Sequence, residues 1–130
     1  MGDGLFNEFD RIDVMNAIMA DIACGITLHY RELQKIQFND KKYIIGCGGG
    51  FQSQTLGKRI ASLINKEVVL PTHYEQASLN GCIKICQKTL KKSVEDYEHV
   101  RIIEPGKDTL LEEYYEKWRT VRKIYEEVEF

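Results

Sequence analysis

The stretch YIIGCGGGFQSQTLGKRI, residues 43–60, joins a short apolar run to a helical pattern through three consecutive glycines. The run has the length of a buried strand, and apolar residues recur at helical spacing after the glycines. A turn from a strand into a helix offers free backbone N–H groups and the positive end of the helix dipole. Because glycine lets a ligand approach the backbone closely, Gly48, Gly49 and Gly50 are predicted to form a ligand-facing turn.

A different interpretation of this turn needs no ligand, because three glycines also make a tight turn or let a helix pack against a sheet. The stretch lacks the known phosphate motifs. It has no GxGxxG, since Phe51 occupies the last position counted from Gly46, and no Lys-Ser or Lys-Thr pair of a P-loop. Ser53, at the start of the predicted helix, is expected either to cap that helix or to donate to the ligand.

A long helix is predicted to precede this stretch, with Asp10 or Asp13 as its N-cap. Its apolar residues recur at steps of three and four, which indicates one buried face. That face comprises Val14, Ala17, Ile18, Ile22, Ile26, His29, Leu33 and Ile36.

Further elements follow the glycine stretch. The helix after the glycines is expected to end at Asn65, and EVVLP, closed by Pro71, reads as a second strand. Two helices are predicted beyond it, each opened by a capping box: Thr72 with Glu75, and Thr109 with Glu112. RIIEPG, between them, is predicted to be extended. The expected apolar faces are Leu79, Cys82, Ile83, Cys86 and Leu90 in one helix, and Leu111, Tyr115, Trp118, Val121, Ile124, Tyr125 and Val128 in the other.

Alternating helical and extended patterns predict an α/β domain, a small sheet flanked by helices, in a single domain of 130 residues. Ligands of open α/β sheets bind beyond the carboxyl ends of the strands, where the glycine turn would lie. Gly81 interrupts a predicted helix at a cost of about 1 kcal/mol relative to alanine, so a close neighbour is expected there.

Charge and hydropathy exclude several partners. With 18 basic and 20 acidic residues and a net charge of -2, the chain has no basic cluster suited to nucleic acid. No apolar run approaches the ~20 residues of a membrane span, and the first ten residues lack the pattern of a signal peptide. A cytoplasmic protein with no membrane partner is the expectation.

Cysteine and histidine allow a metal site as an alternative. Cys82 and Cys86 lie four residues apart, and His73 would be the third ligand of such a site, but no CxxC pair is present. Buried apolar thiols are the favoured interpretation for these cysteines, and an interior structural role is favoured for His29.

Residues 48–85, GGGFQSQTLGKRIASLINKEVVLPTHYEQASLNGCIKI, resemble the adenosine-binding part of the FGGY carbohydrate kinases. That family has GGG-x-x-S or GGG-x-x-N, then VxxP and ExxxLG. VMNAIMADIACGITLHYREL upstream is similar to the family's RAVLEGIAFxxRxxLExL helix, and YYEKWRTVRKIY resembles its closing YxxxYxxYxxLY helix. The matching positions are Gly48, Gly49, Gly50 and Ser53; Val68 and Pro71; and Glu75, Leu79 and Gly81.

The resemblance implies an actin-like, ribonuclease H-like nucleotide-binding half-domain, equivalent to the second half of the C-terminal lobe. It assigns the contacts with ATP to Gly48, Gly49, Gly50 and Ser53. The sugar pocket, the N-terminal phosphate loop and the general base belong to a first lobe that nothing in these residues matches, so no catalytic residue is assigned. Mg²⁺ and a sugar or polyol acceptor would bind together with that lobe.

Two classes of function are therefore expected. One is the ATP-binding portion of a carbohydrate kinase, inactive by itself. The other is a nonenzymatic module that keeps the fold for protein contact, with an apolar patch open to a partner. A homo-oligomer is compatible with both.

Overall fold

The computed structural model describes residues 10–92 and 101–128. Two compact units divide the chain: Met1–Asn39 with Lys107–Phe130, and Asp40–Gly106. The first nine residues, which carry most of the segment examined for a signal peptide, lie outside the described residues.

The unit Asp40–Gly106 contains a three-stranded mixed sheet. Its strands are β1 (Tyr43–Ile45), β2 (Glu67–Leu70) and β3 (Arg101–Ile103), in the order β1-β2-β3. β1 and β2 are parallel, with Ile44 opposite Val68, whereas β2 and β3 are antiparallel, with Val69 opposite Ile102. The parallel pair places the carboxyl ends of β1 and β2 at the same edge of the sheet.

Helix α2 (Gln54–Ile64) connects β1 to β2 and supplies the core of this unit. Leu56, Ile60 and Leu63, apolar residues at the predicted helical spacing, are buried, and Asn65 ends α2 in the left-handed conformation with φ of 58°. Gly57 lies against the sheet, where an added Cβ would come within 2.5 Å of Ile103 Cδ1. The buried side chains of this unit are Leu56, Ile60, Ala61, Leu63, Val68, Leu70 and Ile103.

The predicted burial of β1 is wrong, because Tyr43 and Ile45 are exposed. β1 forms an edge of the sheet and pairs only with β2 among the described residues. An edge strand keeps one side open to solvent, so an apolar run of this length does not establish burial.

Helix α3 (Ala77–Thr89) follows β2 and has no buried residue. Its predicted apolar face is therefore wrong, and Cys82 and Cys86 are exposed. Thr72 is not the N-cap of α3, contrary to the prediction, because a 3₁₀ turn, Tyr74–Gln76, precedes the helix. The N-cap is Gln76, which makes no side-chain capping hydrogen bond.

The other unit pairs α1 (Arg11–Ile36) with α4 (Thr109–Glu126). Asp10 caps α1, as predicted, by accepting from the N–H of Asp13 at 2.8 Å. Asp108, rather than Thr109, caps α4, because its carboxylate accepts from the N–H of Leu111 at 3.1 Å.

Side-chain contacts join these two helices. Trp118 Nε1–H on α4 donates to Asp21 Oδ1 on α1 at 2.7 Å. The guanidinium of Arg31 lies 4.5 Å from the ring centroid of Tyr115, which is fully buried. Of the predicted face of α4, Leu111 and Tyr115 are buried and Trp118 is half-buried, whereas the apolar residues beyond Trp118 are exposed.

The predicted buried face of α1 is wrong, because its large apolar residues are exposed. α1 instead buries a stripe of small residues: Ala20, Ala23, Cys24 and Thr27. Small side chains on α1 allow the bulky aromatic residues of α4 to approach closely. α1 therefore has a buried face of small residues besides its face of large apolar residues, and periodicity alone does not say which of the two is buried.

Helix α1 is also long and apolar enough to cross a membrane by length and composition, which the sequence analysis did not anticipate. A core helix of a soluble protein passes the same test, so this feature is weak evidence for a membrane span.

Candidate functional site

The glycine turn lies at the carboxyl end of β1, and each glycine in it has its own environment. Gly48 has φ of 105° and ψ of 160°, a region of backbone conformation that essentially only glycine occupies. An added Cβ at Gly50 would make ordinary contact with Leu56 Cδ2 at 3.5 Å. At Gly49 an added Cβ would meet nothing within 4 Å, and its φ is not positive.

Gly49 is therefore a glycine that neither conformation nor packing requires. The Gly49–Gln52 segment forms a 3₁₀ turn, so the N–H groups of Gly49 and Gly50 begin a helical segment. Within the described residues neither of these N–H groups has an acceptor. The exposed turn thus has two backbone donors that remain available to a ligand.

Phe51 packs away from that open side. Its Cζ lies 2.9 Å from the position of an added Cβ at Gly46, and its Cδ1 lies 3.6 Å from one at Gly57. The ring therefore fills the space between the end of β1 and α2. The bulky residue after the glycines does not cover the turn.

Ser53 is the N-cap of α2, which confirms the first of the two roles expected for it. Its Oγ accepts from the N–H of Leu56 at 3.2 Å. A serine hydroxyl carries one donor hydrogen and two acceptor lone pairs, so capping a helix and donating to a ligand are chemically compatible roles.

A second loop, residues 71–74, follows β2 at the same edge of the sheet. The N–H of Gly48 donates to the carbonyl oxygen of Tyr74 at 2.6 Å, which ties the glycine turn to this loop. His73 has φ of 60° and ψ of 31°, a left-handed conformation that is uncommon for a residue other than glycine. The loop is held in this shape by hydrogen bonds from Tyr74 N–H to Pro71 and from Gln76 N–H to His73.

A cleft of about 450 Å³ opens between this loop and α3. The wall from α3 is a stripe of residues at positions i, i+3, i+4 and i+7, which share one helix face. No carboxylate lines the cleft, and its ionisable side chains are those of His73, Tyr74 and Lys84. The lining residues are Pro71, Thr72, His73, Tyr74, Ala77, Asn80, Gly81 and Lys84.

Gly81 does not pack against a neighbour, so the expectation of close packing at this residue is wrong. An added Cβ at Gly81 would meet nothing within 4 Å. Because Gly81 has no side chain, this part of the cleft wall does not project into the cleft. Sequence reasoning did not assign Asn80 and Lys84 to a site, although their spacing on the helix that follows a strand end is a usable signal.

No group of three His, Cys, Asp or Glu side chains within residues 10–92 and 101–128 has the geometry to hold a metal ion. Cys24 is buried, whereas Cys47, Cys82 and Cys86 are exposed, and none of the four forms a disulfide within the described residues. The favoured interpretation of Cys82 and Cys86 as buried apolar thiols is therefore wrong. His29 is exposed too, and its Nδ1 lies 3.3 Å from Glu32 Oε2.

A larger cavity, about 650 Å³, lies in the unit formed by α1 and α4. Seven of its nine lining residues are charged. Its two arginines make ion pairs within α4: Arg119 with Glu116 at 3.6 Å and Arg122 with Glu126 at 3.0 Å. Such pairs are typical of the solvent-facing side of a helix. The edge of the sheet therefore remains the candidate site.

Comparison with known proteins gives one informative relative. Over 116 residues this chain is 34% identical to a Bacillus subtilis (strain 168) protein named "Putative sugar kinase YoaC". The matched region is 88% of this chain and 24% of the relative, so the chain spans about a quarter of that protein's length. No family model and no solved structure matches the chain. The chain is thus related to a protein named as a sugar kinase.

Proposed function

We propose that this chain is the ATP-binding, C-terminal portion of a carbohydrate kinase of the FGGY type, with the actin-like fold of that family. In the whole enzyme the γ-phosphate of ATP would pass to a hydroxyl group of a sugar or polyol. The observation that carries the proposal is the open turn at Gly49, whose bare backbone has no conformational or packing reason to be glycine.

The donor set of the turn fits a nucleotide. The N–H groups of Gly49 and Gly50 would donate to oxygen atoms of the ribose or phosphates, as backbone donors at helix starts do for anions. Gly48 would fix the turn through its hydrogen bond to Tyr74, and Ser53 would hold the first turn of α2. The neighbouring cleft beside Gly81 would receive a further part of the nucleotide.

Mg²⁺ offsets the charge of the phosphates in phosphoryl transfer. No carboxylate lines the cleft, so the residues described here do not by themselves fit a Mg²⁺ site. Transfer also needs an acceptor held in line and a base beside its hydroxyl. In this proposal those groups come from a first lobe, and the present chain supplies nucleotide binding alone.

Isothermal titration of the chain with ADP and ATP tests the proposal. Gly49→Val should abolish saturable binding, because its side chain would fill the open side of the turn. Gly25→Val is the matched control, since Gly25 also has open space around it but lies on α1. Circular dichroism checks that both variants remain folded.

The alternative is a nonenzymatic module that keeps this fold for contact with another protein. The exposed apolar residues of α1, such as Ile22 and Ile26, favour it as a second candidate. Absence of binding at millimolar nucleotide would favour this alternative, whereas saturable binding that Gly49→Val removes would support the kinase proposal.

A further inference from the structure

The cleft between the loop 71–74 and α3 is the concave part of the surface of α3. The α3 residues that line this cleft are half-buried, whereas residues between them that do not line it, such as Ser78 and Cys82, are exposed. Ligand pockets are typically about 300–1,000 Å³ in volume, so a cleft of about 450 Å³ is large enough for a nucleoside.

The lining of the cleft suits a flat ring better than a phosphate chain. Pro71 and Ala77 offer apolar surface, and Gly81 adds no side chain to the wall. Base rings bind by stacking on aromatic and apolar surfaces, and Tyr74 is the aromatic lining residue. Lys84 is the one lysine or arginine among the lining residues, whereas a phosphate chain is neutralised by several charges.

Asn80 adds a polar group that can recognise a base. Its side-chain amide forms no hydrogen bond with the residues that the structure describes. An amide presents a donor and an acceptor side by side. Adenine presents the complementary pair, because its 6-amino group donates beside a ring nitrogen that accepts. A half-buried amide with both groups unfilled is therefore suited to adenine.

We propose that the cleft holds the adenine base of ATP and that Asn80 selects this base, an inference that rests on the function proposed above. The carbonyl oxygen of Asn80 accepts a hydrogen bond from the 6-amino group, and its amide N–H donates to the neighbouring ring nitrogen. The ribose and phosphates extend from the cleft to the N–H groups of Gly49 and Gly50. The hydrogen bond from Gly48 N–H to Tyr74 joins these two parts of the site.

Phosphate binding and base selection are then separate tasks of two parts of the site. The backbone donors of the glycine turn bind oxygen atoms, which every nucleotide has, whatever its base. The side chain of Asn80 contacts only the base. A change at Asn80 should therefore alter the preference among nucleotides, whereas a change at Gly49 should abolish the binding of all of them.

Isothermal titration with two ligands measures the contribution of Asn80. The ligands are ADP and purine riboside 5′-diphosphate, which differs from ADP in lacking the 6-amino group. The unmodified chain should bind ADP about three- to tenfold more tightly, because the analogue leaves the carbonyl oxygen of Asn80 without its donor. Asn80→Ala should bind the two ligands equally.

Two further variants separate the amide from the helix that carries it. Asn80→Asp keeps an acceptor for the 6-amino group but has no donor for the ring nitrogen. It should therefore still prefer ADP while it binds both ligands more weakly. Ser78→Ala is the matched control, because Ser78 is exposed on α3 and does not line the cleft. It should bind both ligands as the unmodified chain does, and circular dichroism checks that all variants are folded.

Gly49→Val distinguishes a failure of this inference from a failure of the proposed function. If no nucleotide binds to the unmodified chain, both fail. If ADP binds and Gly49→Val abolishes that binding, the proposed function is supported, and the result with Asn80 decides the inference alone. Equal affinity of the unmodified chain for the two ligands would then overturn it. A preference for ADP that Asn80→Ala retains, or that Ser78→Ala removes to the same extent, would overturn it as well.

Discussion

The backbone N–H of Gly48 donates a 2.6 Å hydrogen bond to the carbonyl oxygen of Tyr74. This bond joins the turn after β1 to the loop after β2, at the edge where the two parallel strands end. The open turn and the cleft beside α3 are therefore joined by a backbone hydrogen bond, and Gly48 supplies its donor from a backbone conformation with positive φ.

Gly48→Ala should lower the free energy of unfolding by about 1–3 kcal/mol, because alanine is strained at this φ and ψ. An added Cβ would meet no atom within 4 Å, so the loss measures backbone strain rather than a clash. Gly25→Ala is the matched control: its Cβ is equally free of neighbours but lies in a helix, and it should stabilise by about 0.5–1 kcal/mol. Urea unfolding compares the two. Equal effects of the two changes would contradict this account of the turn.

Ser53→Ala should lower the free energy of unfolding by about 1 kcal/mol, since the cap of α2 is lost. Ser53→Asp keeps a capping oxygen and should retain stability. If Ser53 lies beside bound nucleotide, the added negative charge of Ser53→Asp weakens ATP binding although the fold is intact. Calorimetric titration and urea unfolding of both variants separate the two roles.

Asp108→Ala is the control for the two Ser53 variants, because Asp108 caps α4 in the other unit. It should lower stability by about 1 kcal/mol and leave nucleotide binding unchanged. ATP affinity that is the same in Ser53→Asp and in the unmodified chain would limit Ser53 to its capping role.

The sequence predicted α2 well because α2 has one apolar face and clear signals at both ends. Ser53 can cap the helix with its own side chain, and Asn65 accepts the left-handed conformation at little cost. The large apolar residues of α2, such as Leu56 and Ile60, lie on one face of the helix, so the face that periodicity predicts is the face that is buried. The order of helices and strands was predictable for the same reason.

The faces of α1 were not predictable from periodicity, because two sets of residues compete for burial. Ile22 and Ile26 are more apolar than Ala23 and Thr27, yet the smaller residues are buried. The small volume of the buried residues leaves room for Tyr115 of α4. Which face of α1 is buried therefore depends on the partner helix and not on α1 itself.

Gly57 and Ile103 should be energetically coupled, because an added Cβ at Gly57 would come within 2.5 Å of Ile103 Cδ1. Ile103→Val removes that methyl group at a cost of about 0.5–1.5 kcal/mol. In a double-mutant cycle, the variant with both Ile103→Val and Gly57→Ala should lose less free energy of unfolding than the sum of the losses in the two single variants. The difference, which is the coupling energy, is expected to be about 0.5–3 kcal/mol. Urea unfolding of the four proteins measures this coupling. An additive cycle would show that α2 and β3 do not pack this closely.

Tyr115→Phe should leave stability unchanged or raise it. The hydroxyl of Tyr115 is buried and has no hydrogen-bond partner among the described residues. An unsatisfied buried polar group costs about 1–3 kcal/mol, and phenylalanine keeps the ring beneath Arg31. Tyr125→Phe is the control, since Tyr125 is exposed and its change should be neutral. A clear loss of stability in Tyr115→Phe, measured by thermal unfolding, would mean that the hydroxyl has a partner.

Gly81→Leu should separate folding from binding at the cleft. The position is helical and open, so leucine should raise the free energy of unfolding by up to about 1 kcal/mol through helix propensity. The same side chain would extend into the cleft and, if nucleotide binds there, lower the affinity for ATP at least tenfold by calorimetry. Cys82→Leu is the matched control, because Cys82 is the next residue of α3, is exposed, and does not line the cleft. Equal ATP affinity in the two variants would exclude the cleft from the nucleotide site and restrict binding to the glycine turn.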